Sequence, residues 1–285
     1  SMTTIIIVCL FAIVVSLLWT GYSNTKDVVI NTLSIPDGSD DTFDLKILHL
    51  SDLHLEHLSI SPDELYEYVK DVPVDIIALT GDYLDRKRTL PKLKPYLHVL
   101  AKLDPTYGSY AVFGNHDYVL KNEDFTRLKE VLNECGFLTL QNEHISIFIK
   151  DQRINIIGID DYRTGHSDLE KSYRHLKDGF HLVLTHDPNI VLEMDDYPYD
   201  FLLSGHFHGG QICWPKPYQL INTPTMGKLP RMNIIKGLHE YAGKLFYINE
   251  GLGQTGINIR FGSRSEITYY EIFLNHIQRL NRMNI

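Results

Sequence analysis

The sequence lacks charge where it begins and is poor in cysteine throughout. Residues 1–25 of the 285-residue chain contain no Asp, Glu, Lys or Arg. Cysteine occurs only at Cys9, Cys135 and Cys213, a spacing that fits neither a zinc knuckle nor a disulfide framework. Reduced, half-buried thiols are the expectation, with a Cys135–Cys213 bridge as the alternative. Positive charge is short as well: 27 Lys and Arg stand against 36 Asp and Glu, a formal net charge of −9. That balance disfavours a broad basic surface for a nucleic acid polymer or anionic lipid, but it leaves room for a locally basic pocket. Internal repeats and low-complexity tracts are absent too. With 44% hydrophobic and 22% charged residues, the chain can bury a substantial core without disulfides or structural zinc.

The charge-free start is a long apolar run. Residues 5–19 read IIIVCLFAIVVSLLW, and adding Thr3, Thr4 and Thr20–Tyr22 gives 20 uncharged residues. Twenty residues at ~1.5 Å each span ~30 Å, the thickness of a bilayer core. Trp19 and Tyr22 fall where an interfacial aromatic belt would lie. A single-pass membrane anchor over residues 1–25 is the expectation. A cleaved signal peptide fits less well, because a basic leading region and a small-x-small cleavage site are missing. A buried core helix fits least, since the run has no polar face. Lys26 and Asp27 oppose each other, so the side of the membrane is unassigned. Residues 26–43 read as a tether with a short apolar strand near 28–33, and residues 44–285 as one folded domain.

From Leu45 onward short β-rich runs alternate with helical patterns. Strands are expected at 45–50, 75–80, 108–113, 145–150, 153–159, 180–185, 200–204, 245–249, 258–261 and 266–274. Helices are expected at 62–70, 91–103, 122–135 and 168–176, and a short terminal helix at 274–283. Ser61 before Pro62, with Asp63 and Glu64 following, is a helix-start signature, and Gly136 is a helix stop. The order β-α-β-α-β followed by a mixed half predicts a layered α/β sandwich around one continuous core.

Five strand ends carry polar residues of one kind. Asp52 and His54 follow the first, Asp82 the second, Asn115, His116 and Asp117 the third, His186 the fourth, and His206 and His208 the fifth. Ligands of open α/β sheets bind at the carboxyl ends of strands, so these residues would gather on one rim. Hard oxygens mixed with imidazoles suit Mn²⁺, Fe or Zn²⁺. Seven donors exceed what one ion needs and suffice for two, which together clamp the oxygens of a displacement at phosphorus. Asp52-x-His54 and His206-x-His208 each place two side chains on one side of an extended segment.

Asp52-x-His54, Gly81-Asp82, Gly114-Asn115-His116-Asp117, His186 and Gly205-His206-x-His208 resemble the ordered motifs of the calcineurin-like metallophosphoesterases. The resemblance covers about residues 46–273 and implies an αββα sandwich. It implies one metal held by Asp52, His54 and His208, a second by Asn115, His186 and His206, and a bridge through Asp82. A bridging hydroxide would attack phosphorus. His116 would contact the phosphate and assist the leaving oxygen, with Asp117 or another carboxylate orienting it. Residues 205–211 and the late Arg260-Phe261-Gly262 resemble a bacterial branch with cell-envelope phosphodiesterases and enzymes that cleave a UDP-diacylglucosamine pyrophosphate.

The resulting expectation is a membrane-tethered hydrolase of a phosphorylated small molecule or lipid, using two divalent ions, manganese first, with iron or zinc as alternatives. A nucleotide phosphoesterase and a non-catalytic metal-binding module are the rival readings. The basic run Arg86-Lys87-Arg88 with Lys92 and Lys94 reads either as an attractor of phosphate or as a solvated helix face. Asp160-Asp161 reads as support for the site or as an ordinary loop, residues 214–218 as a loop beside it, and residues 251–256 as a turn rather than a nucleotide loop.

Overall fold

The computed structural model describes residues 1–35, 45–213 and 216–273. The expected terminal helix, residues 36–43 of the expected tether and Trp214 lie outside them.

The chain opens with α1, Met2–Lys26, and β1, Val29–Ile35. The domain continues through β2 (Leu45–Leu50), α2 (Pro62–Val69), β3 (Ile76–Leu79), α3 (Leu93–Ala101), β4 (Ser109–Ala111), α4 (Asn122–Glu134) and β5 (Phe137–Thr139). The second half holds β6 (Glu143–Ile149), β7 (Gln152–Gly158), α5 (Leu169–Tyr173), β8 (Phe180–Leu184), β9 (Phe201–Ser204) and α6 (Tyr218–Asn222). It ends with β10 (Gly237–Tyr241), β11 (Lys244–Ile248) and β12 (Glu266–Ile272). Two six-stranded sheets form, in the orders β1-β12-β2-β3-β4-β5 and β10-β11-β9-β8-β7-β6. The strands β2 to β5 run parallel, as do β7, β8, β9 and β11.

Period-two alternation sorts these strands into three apolar layers. Leu48, Leu50, Ile77 and Leu79 face outward and pack against Leu65, Leu97, Leu100 and Leu128 of α2, α3 and α4. Ile47, Ile76 and Ala78 face inward and meet Ile154, Ile156, Leu182 and Leu203 of the second sheet. Ile157, Val183, Leu202 and Phe246 turn to the far side and pack with Ile190, Val191 and Leu229. This is the layered α/β sandwich that the sequence predicts. The helix starts are equally local in origin: the Ser61 hydroxyl accepts from the Glu64 amide at 3.1 Å, and the Ser61 amide donates back to the Glu64 carboxylate at 3.4 Å.

Three expectations change. The tether is in part a sheet strand: β1 pairs in parallel with β12 from Val29↔Glu266 to Ile35↔Ile272. Residues 258–261 form no strand beyond the single bridge Ile212↔Phe261; they wrap instead around the end of α1. The short edge strands β5 and β10 were not read at all. Helix α1 meets the length and composition needed to cross a membrane, and its apolar window is 0% buried. Its final turn is different, because Gly21 and Thr25 are buried against the domain.

Candidate metal centre

The parallel strands β2, β3, β8 and β9 deliver their next residues to one rim, and the backbone there is bent hard. Asp52 (φ 52°), His54 (φ 36°), Asp82 (φ 56°), His206 (φ 81°) and His208 (φ 52°) all occupy the left-handed region that non-glycine residues avoid. Such strain persists only where surrounding structure enforces it, and it gathers at functional sites. Gly81 turns the chain at φ 93°, whereas Gly114 and Gly205 serve close approach. A Cβ at Gly114 would sit 2.2 Å from Asp82 Oδ1, and one at Gly205 would sit 2.1 Å from Ser51 Oγ.

Each carboxylate commits one oxygen to the protein and presents the other. Asp52 Oδ2 accepts from the Ser51 hydroxyl at 2.8 Å and the His206 amide at 3.0 Å, while Oδ1 is buried without a partner. Asp82 Oδ1 accepts from the His116 amide at 2.9 Å, and Oδ2 faces His54 and His186. The imidazoles are held from behind. His186 Nδ1 donates to the Thr80 carbonyl at 2.7 Å, and His208 Nδ1 donates to the Gly253 carbonyl at 3.2 Å. His54 Nδ1 lies 3.0 Å from Asp85 Oδ1. A carbonyl acceptor fixes the tautomer, so the Nε2 lone pair of His186 and of His208 points inward.

Five buried atoms here lack any hydrogen-bond partner: Asp52 Oδ1, His54 Nε2, Asn115 Oδ1, His186 Nε2 and His206 Nε2. Three sets of possible ligand atoms lie within 4.8 Å of one another: Asp52, His54 and His208; Asp82, His186 and His206; His54, Asp82 and His116. His208 Nε2 is 3.4 Å from Asp52 Oδ1, and His54 Nε2 is 3.6 Å from it. Two ligands each ~2.1 Å from one ion would stand about 3–3.5 Å apart, so the donor set fits divalent cations. The electrostatics divide the four imidazoles into two pairs. Burial opposes charge on His54, yet Asp52, Asp82 and Asp85 hold its pKa well above the usual range. Burial likewise opposes charge on His186, and Asp82 with Asp52 reverses it. Burial pushes His206 and His208 down to about 3, so these two are neutral and able to donate lone pairs.

The profile described as calcineurin-like phosphoesterase matches residues 45–210. The chain belongs to that family. It is 62% identical over 95% of its length to the whole of the Bacillus subtilis metallophosphoesterase YkoQ. It is 30% identical to the Escherichia coli phosphodiesterase YaeI, over 82% of this chain and 84% of that protein. It is 28% identical to the Chlamydia trachomatis UDP-2,3-diacylglucosamine pyrophosphatase LpxG, over 78% of this chain and 82% of that protein. The protein is thus a metal-dependent phosphoric ester hydrolase of the calcineurin-like fold.

Beside the donor cluster of this phosphoesterase lies a cavity of about 550 Å³ bordered by Asp82, His116, His206 and His208, with Arg163 and Gln211 on its wall. His116 reaches its rim with 32% of its side chain exposed. Its Nδ1 lies 2.7 Å from Asp85 Oδ1. Burial disfavours the imidazolium, but Asp85 and Asp82 raise its pKa above the ordinary value.

The residue placed behind His116 therefore differs from the first choice of the sequence reading. Asp117 is fully buried, and its carboxylate accepts from the amides of Asp82 (2.9 Å), Tyr83 (2.9 Å) and Gly114 (2.8 Å). It splints two strand ends together, while Asp85 holds the His116 ring. Asp85 lies in the loop three residues after Asp82, just before the basic run, and nothing else in the sequence marks it. Asp161 also proves part of the site's surroundings: it is buried with Oδ1 unpartnered, and its charge acts on His186 and His206. Arg163 and Gln211 carried no sequence signal beyond following the Asp160-Asp161 and Gly209-Gly210 pairs. The thiols are free, as expected.

Proposed function

We propose that the chain is a membrane-tethered, dinuclear phosphoesterase acting on a phosphodiester or pyrophosphate. Asp52, His54 and His208 would hold one divalent ion, Asn115, His186 and His206 the other, with Asp82 shared between them. The observation that carries the reading is that the buried, unpartnered Nε2 atoms of His54, His186 and His206 gather at the outward carboxylate oxygens of Asp52 and Asp82. Bound there, two such ions would supply an activated water and neutralise charge growing on the phosphoryl oxygens.

The side chains divide the remaining work. His116, pinned through Nδ1 by Asp85, presents Nε2 to the cavity and gives a proton to the departing oxygen. Its raised pKa keeps that proton available near neutrality. Asp117 keeps the loops after β3 and β4 at a fixed distance. Arg163 on the cavity wall attracts the anionic substrate. Manganese is the favoured ion by donor type, with iron or zinc as alternatives.

Two further supports favour an envelope substrate. Helix α1 is long and apolar enough to span a bilayer. The relatives named above include a phosphodiesterase and a diacylglucosamine pyrophosphatase. The domain plan that follows is an anchor at 1–25, a short connection, and a catalytic domain to residue 285. The test is metal analysis of the purified full chain, with hydrolysis of monoester, diester and lipid pyrophosphate panels in Mn²⁺. Two tightly bound ions with diester or pyrophosphate turnover are expected. One ion or none, with no turnover on any panel, overturns the proposal in favour of a binding module.

A further inference from the structure

The last turn of α1 is built into the domain. The Arg260 amide donates to the Gly21 carbonyl at 2.9 Å, and the Asn24 side-chain amide donates to the Arg260 carbonyl at 2.8 Å. The Thr25 hydroxyl lies 2.5 Å from that of Ser59, which donates to Asn258 Oδ1 at 3.0 Å. Packing is tight enough that a Cβ on Gly21 would meet the Phe261 ring at 2.6 Å. Arg264 pairs with Asp27. The segment responsible, residues 254–265, reads QTGINIRFGSRS, with two arginines and no carboxylate.

That same segment walls both cavities on this side of the molecule. Thr255 borders the catalytic cavity. Gly256 borders a second cavity, about 490 Å³, together with Arg86, Arg88 and Lys92 and with two carboxylates already engaged, Glu56 by the amides of Asp85 and Arg86 and Asp85 by His54 and His116. These three cations are exposed, and no ion pair engages them among the described residues. Ile257 follows directly and is 61% exposed. The Gln211 side chain, on the catalytic cavity wall, donates to the carbonyls of Thr255 (2.9 Å) and Ile257 (3.0 Å). The segment is therefore fixed to the catalytic cavity at one end and to α1 at the other.

The level of this surface follows from the helix. Residues 2–19 rise ~26 Å at ~1.5 Å each, which consumes the hydrocarbon core. Trp19, 70% exposed, and Tyr22 then stand at the headgroup boundary. The carbonyl of Gly21 between them is the one that holds Arg260. From this geometry we infer that residues 254–261 lie against the headgroup layer of an anionic bilayer. Ile257 dips into it, and Arg86, Arg88 and Lys92 form the charged rim. The catalytic cavity then opens at headgroup depth, where an apolar residue beside unpaired cations gains both from burial and from attraction to anionic lipid. The inference rests on the membrane-anchor reading of α1.

The test uses the full chain in vesicles of phosphatidylcholine with phosphatidylglycerol and acyl chains brominated near the carbonyl. Trp19 is followed in one variant and Ile257→Trp in another, each with the remaining tryptophans changed to Phe. Quenching at both positions is expected. Omitting phosphatidylglycerol, or introducing Arg88→Gln with Lys92→Gln, should lower quenching at position 257 about twofold or more and leave Trp19 unchanged. Quenching at Trp19 without any at 257 overturns the inference and spares the anchor. Absence of quenching at both overturns the anchor reading, and the inference with it. Quenching at 257 that ignores both lipid charge and the double variant overturns the anionic rim.

Discussion

Two regions of the molecule meet at His208 and are built on opposite plans. The donor cluster is assembled from short segments, each a strand followed within four residues by its ligands, and its polar atoms are left unpartnered. The junction between α1 and residues 254–265 is assembled from distant segments, and most of its polar atoms are hydrogen-bonded, the Gln254 side chain and Arg260 Nε being exceptions. Arg260, fully buried, shows this best. Its guanidinium donates to the carbonyls of Glu250 (3.0 Å), Gly251 (3.1 Å), Gly253 (2.7 Å) and Arg264 (2.9 Å), and to Ser263 Oγ (2.8 Å). Gly253 in turn accepts from His208. The contrast separates chemistry from support: unpaired donors wait for a cation, whereas a guanidinium bonded through both terminal nitrogens organises backbone.

The largest effect should come from the cluster itself. Asp82→Ala removes the carboxylate oxygen that faces both His54 and His186. Turnover should fall by about 10⁴-fold or more, and metal content, read by elemental analysis, should fall with it. Retained metal with near-normal turnover would place the bridge elsewhere.

Next comes the junction. Arg260→Met leaves four carbonyls without their donor in a dry interior. The loss should cost about 3–5 kcal/mol, read as a lower denaturant midpoint. Metal affinity should weaken as well, since the Gly253 carbonyl that orients His208 loses its own anchor. A variant with unchanged stability would show that the junction merely covers the cluster.

A third comparison lies inside the cluster, between two carboxylates that the sequence presents alike. Asp85→Asn should lower kcat about 10²-fold and weaken metal affinity, because the His116 and His54 rings both lose their charged acceptor. Asp117→Asn should act mainly on stability, by about 2 kcal/mol, since its three amide partners lose a buried carboxylate. Opposite outcomes for the pair would restore Asp117 as the residue behind His116.

How legible each region was in the sequence follows from the same difference in plan. Asp52, His54, Asp82, His186, His206 and His208 stand out because each follows an apolar strand in a short segment, and parallel pairing brings those ends together without further information. The order of apolar strands and helices likewise foretold the layered sandwich, although its core divides into three apolar layers rather than one continuous one. Asp85 was missed because a carboxylate three residues into a loop resembles any solvated one; only the distance to His116 singles it out. The junction was illegible for a stronger reason. Asn24 and Arg260 stand 236 positions apart, and nothing near either residue marks the contact. Residues 258–261 alternate polar and apolar as a strand would, but contacts with the end of α1 claim the polar groups of Arg260 first.

The smallest expected effect probes how firmly the two regions are joined. Thr25 is buried at the point where α1 enters the domain, and its hydroxyl donates to the Tyr22 carbonyl at 2.6 Å and touches Ser59. Thr25→Val keeps the shape and deletes those polar contacts, at a cost of about 1 kcal/mol. The Tyr22 carbonyl lies in a last helical turn whose other contacts, Gly21 to Arg260 and Asn24 to Arg260, survive the change. A drop of that size in unfolding free energy, with turnover of a soluble aryl phosphodiester unaltered, is the expected result. A loss of turnover would mean that strain at the helix end travels through Arg260 and Gly253 to His208, and the two plans would then be one.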